Sequence, residues 1–204
     1  MLDFVRMWLF PPACAACDAP GPALCSACAP GPGDAVRFVV DGIPTFALGE
    51  YEGALRHAVV AMKRGERDPL DAFADLLAAR APLHGTLIPL ATTRGRTAQR
   101  GFDQSVQLAR LLAARCSVGC AEVLVKHGRP QAGQGRRVRL AAAGRFGLRP
   151  GAALPRAATL LDDVCTTGAT LRDAARALRA AGVDVRQIVV IARAGGTPEA
   201  EMRS

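Results

Sequence analysis

The sequence ATLLDDVCTTGAT, residues 158–170, decides the fold. Residues 158–161 are a short apolar run, which predicts a strand of a parallel sheet that is buried on both faces. Asp162 and Asp163 are then expected to emerge at the carboxyl end of that strand. Because open α/β sheets bind their ligands at this edge, the two carboxylates are candidate ligand-binding groups.

A glycine-containing turn and a helix follow the two aspartates. Apolar residues recur at helical spacing through residues 171–181, and Gly182 provides a stop signal. A phosphate at the start of this helix would meet backbone N–H groups, hydroxyl donors and the positive end of the helix dipole. Two neighbouring carboxylates suit a vicinal diol, since each accepts a hydrogen bond from a hydroxyl. The pattern therefore favours a sugar-phosphate site over the ordinary alternative, a solvated turn or helix cap.

Four cysteines near the N-terminus form two close pairs. Cys14 and Cys17, then Cys25 and Cys28, lie in sequence rich in proline and glycine that shows no helix or strand period. Such a segment buries little apolar surface, so a cross-link must hold it together. Four thiolates in two knuckles suit a tetrahedral structural Zn²⁺, which we favour over two disulfides formed in an oxidising compartment. We expect a zinc-binding segment over residues 1–33 and a second domain over residues 34–204.

The rest of the chain alternates strand and helix patterns. The turn dipeptide Asp41-Gly42 predicts a β-hairpin, and Asp103 is expected to cap a helix. Cys116, Cys120 and Cys165 offer no complete metal site and are expected to be core residues. The order of elements predicts an α/β fold with a doubly wound, mostly parallel sheet that the last strand closes. The predicted helices cover residues 53–63, 69–80, 103–115 and 171–181, and the predicted strands cover residues 37–40, 43–48, 86–90, 121–126, 160–163 and 187–192.

The segment from Asp162 to Thr170 resembles the phosphoribosyl-pyrophosphate (PRPP) motif of type I phosphoribosyltransferases. The resemblance implies that Asp162 and Asp163 bind the 2′- and 3′-hydroxyls of the ribose. It also implies that Mg²⁺ accompanies PRPP and that pyrophosphate leaves the anomeric carbon. The residues that would wrap the 5′-phosphate are Thr166, Thr167, Gly168, Ala169 and Thr170.

Further segments behind the four cysteines resemble the ComF family of competence-associated proteins. They are YEGALR (51–56), MKRG (62–65), PL (89–90) and RGFDQ (100–104), in that order. The resemblance covers nearly the whole chain. It makes Lys63 a candidate ligand-binding residue, although a lysine that extends along apolar surface into solvent is the ordinary alternative.

Three arginines are further candidates for binding phosphate. The turn after Leu90 falls where the type I fold places its pyrophosphate loop, and Arg94 and Arg100 supply positive charge there. Arg139 matches the ComF pattern within the basic, glycine-rich residues 127–139, which occupy the place of a flexible catalytic loop. For each of these arginines, an ordinary solvated side chain is the alternative.

The composition is compatible with an anionic ligand. The 204 residues carry a net charge of +8 and a sequence pI of about 9.7, which favours PRPP, nucleotides or nucleic acid as partners, or simply a soluble surface. Aromatic residues make up only 4 %, which argues against a surface that stacks single-stranded bases. Residues 1–10 are too short to span a membrane or to make a persuasive secretory signal, so we expect a cytoplasmic protein.

Two functions are compatible with these patterns. The first is a Mg²⁺- and PRPP-dependent transferase whose acceptor is unidentified, because no residue stands out as a base for an incoming nucleophile. The second is a non-catalytic protein that binds nucleotides or single-stranded DNA and takes part in DNA uptake with other uptake proteins. The intact segment from Asp162 to Thr170 favours the first.

Overall fold

A computed structural model describes residues 12–65, 69–90, 103–126 and 146–195. Within these ranges, no helix is both long and apolar enough to cross a membrane. The strands are β1 (Val36–Val40), β2 (Ile43–Glu50), β3 (Thr86–Pro89), β4 (Leu124–Lys126), β5 (Phe146–Leu148), β6 (Ala157–Cys165) and β7 (Asp184–Arg193). The α-helices are α1 (Gly53–Arg64), α2 (Leu70–Arg80), α3 (Gln104–Cys116) and α4 (Ala169–Ala180).

The main sheet has five strands in the order β1-β2-β7-β6-β3. Its strands β2, β7, β6 and β3 are parallel, and only β1 runs antiparallel, as the partner of β2. The predicted hairpin is confirmed: Val40 pairs with Ile43, and both turn residues, Asp41 and Gly42, have the positive φ that a tight hairpin turn requires. The predicted α/β class with a mostly parallel sheet is confirmed.

Helices cover both faces of the sheet. Alternate strand residues face opposite sides, so Leu161 packs with residues of α1, α2 and α3, whereas Leu160 packs with residues of α4. Ile191 and Val190 divide in the same way between the two apolar clusters. Burial on both faces explains why these strands are continuous apolar runs in the sequence.

Two predicted strands differ from the structure. Residues 121–126 were expected to form a strand of the main sheet, but only Leu124–Lys126 is a strand, and it pairs with β5 in a separate antiparallel sheet. Residues 119–121 instead lie beside β3. The N–H of Leu87 donates to the carbonyl of Gly119, and the N–H of Ala121 donates to the carbonyl of Leu87. The last strand does not close the sheet, because β7 lies at its centre, between β2 and β6.

The end of α1 and the start of α3 carry strong local signals. The αL residue Gly65 ends α1, and its N–H donates to the carbonyl groups of Ala61 and Met62. Asp103 caps α3 as predicted, because its carboxylate accepts hydrogen bonds from the N–H groups of Ser105 and Val106. These caps determine where the two helices end and begin beside the sheet.

Candidate functional site

Asp162 and Asp163 lie near the carboxyl end of β6. The strand predicted from the sequence ends at Asp163, but the observed strand continues to Cys165. It continues because Asp162 pairs with Val190 of β7 and Val164 pairs with Ala192. The prediction therefore ended the strand two residues early, and both aspartates lie within the parallel sheet.

Because Asp162 and Asp163 are successive residues of a strand, their carboxyl groups lie on different sides of the sheet. Successive side chains of a strand point to opposite faces. Asp163 forms an ion pair with Lys63 of α1, with 2.8 Å between Nζ and Oδ2, and both side chains are only partly exposed. Asp162 lies on the α4 side of the sheet, within the electrostatic reach of Lys126 on β4. A ligand that contacts both carboxylates must therefore lie across the edge of the sheet.

The environment of Asp162 favours its protonated form. Burial of the side chain and the negative charge of Asp163 together raise the pKa of Asp162 to about 7. The N–H of Asp163 donates to Oδ1 of Asp162 at 2.9 Å, and Lys63 and Lys126 also act in the lowering direction, but they do not outweigh the first two effects. Near neutral pH, the two aspartates therefore share less than two full negative charges, which reduces their repulsion of an anionic ligand.

A sharp turn joins β6 to α4 directly beyond the aspartates. Thr166 and Thr167 are exposed, Gly168 is buried, and α4 begins at Ala169. Gly168 has φ +69°, and a Cβ atom there would lie 3.1 Å from Cγ1 of Val40. Both the backbone conformation and the space beside it therefore favour glycine.

Backbone N–H groups and a guanidinium lie close together at this turn. The first N–H groups of a helix have no acceptor within the helix, and here the N–H of Ala169 makes a long bond, 3.4 Å, to Oγ1 of Thr167. Arg172, one turn into α4, brings its guanidinium close to Gly168, with Nη1 3.4 Å from the position a Cβ would take. Arg172 was not predicted from the sequence, although its spacing of one helical turn from Gly168 was a usable signal.

Cys165 lies between the aspartates and the turn. It is buried, as predicted. Burial and the nearby charge of Asp162 raise the pKa of Cys165, and this outweighs the N–H of Gly168 and the positive charges of Arg172 and Arg193. The thiol is therefore held neutral, which fits a small core residue and not a nucleophile.

The structure brings together most of the ligand-binding residues that the sequence predicts. Asp162, Asp163 and the five residues from Thr166 to Thr170 meet at the carboxyl end of β6, and Lys63 reaches them from α1. The three predicted arginines Arg94, Arg100 and Arg139 lie outside the described residues. Two basic residues that the sequence analysis did not select, Lys126 and Arg172, also lie near this edge of the sheet.

The four N-terminal cysteines form a separate cluster. The Sγ atoms of Cys14, Cys17, Cys25 and Cys28 all lie within 4.8 Å of one another, and all four residues are free thiols. Zn–S bonds of about 2.3 Å in a tetrahedron place sulfur atoms about 3.8 Å apart. The Sγ atoms of Cys17 and Cys25 are 3.8 Å apart, so the cluster fits a tetrahedral metal ion.

Local hydrogen bonds support the thiolate form of one cysteine. Burial acts to raise the pKa of Cys14, but N–H groups of Cys25, Ala16 and Cys17 outweigh it and lower the pKa to about 6. Two of these donors, the N–H groups of Cys25 and Ala16, lie 3.5 and 3.4 Å from the sulfur. By contrast, the neighbouring thiols raise the pKa of Cys28 to about 12. Four clustered thiols cannot all ionise without a cation among them.

The cysteine segment packs on the main body of the protein. Cys14, Ala15 and Leu24 are buried in the apolar cluster that also contains residues of α1, α2 and α3. The guanidinium of Arg80, in the last turn of α2, donates to the carbonyl of Pro30 at 2.6 Å. Cys116 and Cys120, which were expected in the core, are partly buried and pack against this same cluster.

Comparisons with known proteins give structural similarities only. No family model matches the sequence, and no curated protein is similar to it. The orotate phosphoribosyltransferase from Aeropyrum pernix is similar over 79 % of this chain and 77 % of its own, with 17 % identity and a TM-score of 0.40. The adenine phosphoribosyltransferase from Leishmania tarentolae is similar over 62 % of this chain and 76 % of its own, with 12 % identity and a TM-score of 0.37.

A third structure, described as the allosteric regulatory enzyme of purine biosynthesis, is similar over 73 % of this chain but only 27 % of its own. Its identity is 18 % and its TM-score is 0.41. TM-scores of this size assign no activity. The chemistry of this chain must therefore be argued from its own residues.

Proposed function

We propose that this protein binds PRPP, or another ribose 5-phosphate ester, at the carboxyl edge of β6. We further propose that it transfers the phosphoribosyl group to an acceptor and releases pyrophosphate. One observation carries the proposal: carboxylates suited to a diol and a glycine turn suited to a phosphate follow one another in a single strand-turn-helix unit. The resemblance of residues 162–170 to the PRPP motif supports the same ligand.

The turn would hold the 5′-phosphate of the ligand. The hydroxyls of Thr166 and Thr167, which are exposed, and the N–H groups at the start of α4 are hydrogen-bond donors for phosphate oxygens. Arg172 adds a positive charge beside Gly168. Asp162 and Asp163 would contact the ribose hydroxyls from the two sides of the sheet edge, which fixes the ring relative to the phosphate.

The reaction would be a displacement at the anomeric carbon of the ribose. The bond from this carbon to a pyrophosphate oxygen breaks, a bond to the acceptor nucleophile forms, and the acceptor loses a proton to a base that we do not assign. Positive charge develops on the ring in the transition state, and the negative charge that Asp162 and Asp163 share would stabilise it. Fixing the ring and the phosphate also supplies the entropic advantage of an oriented complex.

Mg²⁺ would enter the site with PRPP. This ion keeps much of its water shell and binds substrate phosphates readily, so it would neutralise the leaving pyrophosphate. Among the described residues, Asp163 is already paired with the ammonium group of Lys63 at 2.8 Å. We therefore assign the ion to the pyrophosphate oxygens and to no side chain.

We also propose that the four cysteines hold a structural Zn²⁺ and that the chain is a member of the ComF family. The sulfur distances within the cluster and the burial of Cys14 support the first statement. The order of the sequence segments supports the second. A cytoplasmic location is part of this proposal, because thiolate ligands persist in a reducing compartment.

The alternative function, binding of single-stranded DNA in DNA uptake, has weaker support. Affinity for DNA comes chiefly from lysine and arginine contacts to phosphates. Residues 12–36, which contain the whole cysteine cluster, hold Asp18 and Asp34 but no lysine or arginine. The cysteine segment is therefore a poor DNA-binding surface, and the net charge of +8 comes from other parts of the chain.

Pyrophosphate release tests the proposed activity. The purified protein is incubated with PRPP, Mg²⁺ and a panel of nucleobases and amines, beside Asp162→Asn and a control, Asp184→Asn. Asp184 is exposed and begins β7, at the opposite edge of the sheet, so its variant keeps activity. Release with one acceptor that Asp162→Asn loses supports the proposal. Silence with every acceptor despite PRPP binding contradicts the transferase, and absence of PRPP binding contradicts the site itself.

A further inference from the structure

Gln104 and Met62, which belong to the sequence segments RGFDQ and MKRG, are in contact in the structure. Gln104, the last residue of RGFDQ, begins α3 and is only 8 % exposed. Its side-chain Nε2 donates a hydrogen bond to the carbonyl of Met62, the first residue of MKRG. A buried amide is costly unless it is bonded, so this contact determines where Gln104 can sit.

The acceptor carbonyl lies in the last turn of α1. The carbonyl groups at the end of a helix have no partner within the helix. Here the carbonyl of Met62 accepts from Gln104 and also from the N–H of Gly65, at 3.1 Å. These two hydrogen bonds fix the peptide group that joins Met62 to Lys63. The ammonium group of Lys63 reaches Asp163 on β6.

We propose that Gln104 is a positioning residue for the acidic pair: it fixes the end of α1 so that Lys63 reaches Asp163 and offsets its charge. A contiguous series of contacts runs from α3 through α1 to β6. This inference rests on the proposed function only for its ligand-binding consequence, because the ligand would contact Asp162 and Asp163.

The pKa of Asp162 depends on the position of Lys63, so it reports that position in the ligand-free protein. The charged groups that act on Asp162 are Asp163 on its own strand, Lys63 from α1 and Lys126 from β4, and the neutral thiol of Cys165 also lies near it. Lys63 lowers the pKa of Asp162. Moving or removing the ammonium group of Lys63 must therefore raise that pKa further.

The first experiment follows the carboxyl carbon of Asp162 by NMR during a pH titration of the full-length, ligand-free protein. Lys63→Met raises the midpoint, and Lys63→Arg, which keeps the charge, restores much of the original value. Gln104→Met raises the midpoint in the same direction. The double variant titrates like Lys63→Met alone, because Gln104 acts only through Lys63. Gln107→Met, at an exposed position of α3, leaves the midpoint unchanged.

An unchanged midpoint in Gln104→Met would overturn the proposal, and so would a further upward shift when Gln104→Met is added to Lys63→Met. Gln104→Asn provides a second variant, since it keeps the amide but is too short to reach the carbonyl of Met62. It shifts the midpoint as Gln104→Met does. If both Gln104 variants lose the folded state, a merely structural role is established and the proposal fails.

The second experiment measures the affinity for ribose 5-phosphate by calorimetry in the same variants. Gln104→Met and Lys63→Met each weaken binding several-fold, and the double variant is no weaker than Lys63→Met. Additive losses would contradict a role through Lys63. If the wild-type protein does not bind ribose 5-phosphate, the proposed function fails, whereas the NMR titration still decides the role of Gln104.

Discussion

Replacing Gly168 by alanine adds a single methyl group to the turn that we propose binds the phosphate. Gly168 has φ +69°, and an added Cβ lies 3.1 Å from Cγ1 of Val40 and 3.4 Å from Nη1 of Arg172. A side chain in the left-handed region costs about 1–2 kcal/mol. Crowding a packed position costs about 1–3 kcal/mol more. We therefore expect Gly168→Ala to lower the free energy of unfolding by about 2–5 kcal/mol.

Gly151 provides a matched control for backbone strain. Its φ is +71°, but nothing lies within 4 Å of an added Cβ, and it follows β5 in the sequence and is not part of the turn. Gly151→Ala therefore costs only the backbone component of about 1–2 kcal/mol. For a protein of this size that corresponds to a fall in Tm of about 2–8 °C. The difference between the two variants isolates the crowding at Gly168.

Urea denaturation and calorimetry with ribose 5-phosphate measure both consequences. Gly168→Ala is the less stable variant, and it loses at least about tenfold in affinity, because a shift of 1.4 kcal/mol in phosphate contacts suffices for that change. Gly151→Ala keeps the wild-type affinity. Unchanged binding by Gly168→Ala, or an equal loss by Gly151→Ala, would refute the assignment of the turn to the phosphate.

Three further predictions concern the acidic pair and the cysteine segment. Because the pKa of Asp162 rises from 3.8 to about 7 on folding, the folded state binds this proton more tightly, and this contribution to stability is lost as pH rises from about 4 to about 7. Urea denaturation across that range shows a smaller stability loss in Asp162→Asn than in the wild type. Cys14→Ser abolishes zinc binding, measured by elemental analysis, and sharply lowers Tm, because the cluster is part of the core. Arg80→Met removes the hydrogen bond to Pro30 and lowers the free energy of unfolding by about 1.5–3 kcal/mol in urea denaturation.

Matched variants make these predictions decisive. Asp184→Asn keeps the wild-type pH dependence, and an Asp162→Asn variant that also kept it would disprove the burial argument. Cys116→Ser keeps the metal, since Cys116 is not part of the cluster. One bound Zn²⁺ per chain in Cys14→Ser would exclude the four-cysteine site. For Arg80, unchanged stability would mean that the cysteine segment is held by apolar packing alone.

The elements with strong local signals could be predicted from the sequence. The hairpin at Asp41-Gly42 and the cap at Asp103 follow from the chemistry of one or two residues. The helix after Gly168 follows from its apolar period. The four cysteines could be grouped because each pair is close in sequence, and the structure brings the two pairs together.

Features that depend on distant partners could not be predicted in this way. The end of β6 was placed at Asp163 because aspartates are depleted in strands, whereas pairing of Val164 with Ala192 and of Cys165 with Arg193 carries the strand two residues further. The strand predicted over residues 121–126 found its partner in β5, and no local pattern specifies that choice. The contact from Gln104 to Met62 joins residues 42 positions apart, and only the folded chain reveals it.

The most direct test of the account compares three ligands by calorimetry: ribose 5-phosphate, 2-deoxyribose 5-phosphate and ribose. If the aspartates and the Gly168 turn bind one sugar phosphate together, ribose 5-phosphate binds most tightly, and loss of either the 2-hydroxyl or the phosphate weakens binding at least about tenfold, or 1.4 kcal/mol. Equal affinity for ribose 5-phosphate and its 2-deoxy analogue, or for ribose with and without phosphate, would contradict joint binding of the sugar phosphate by the aspartates and the Gly168 turn.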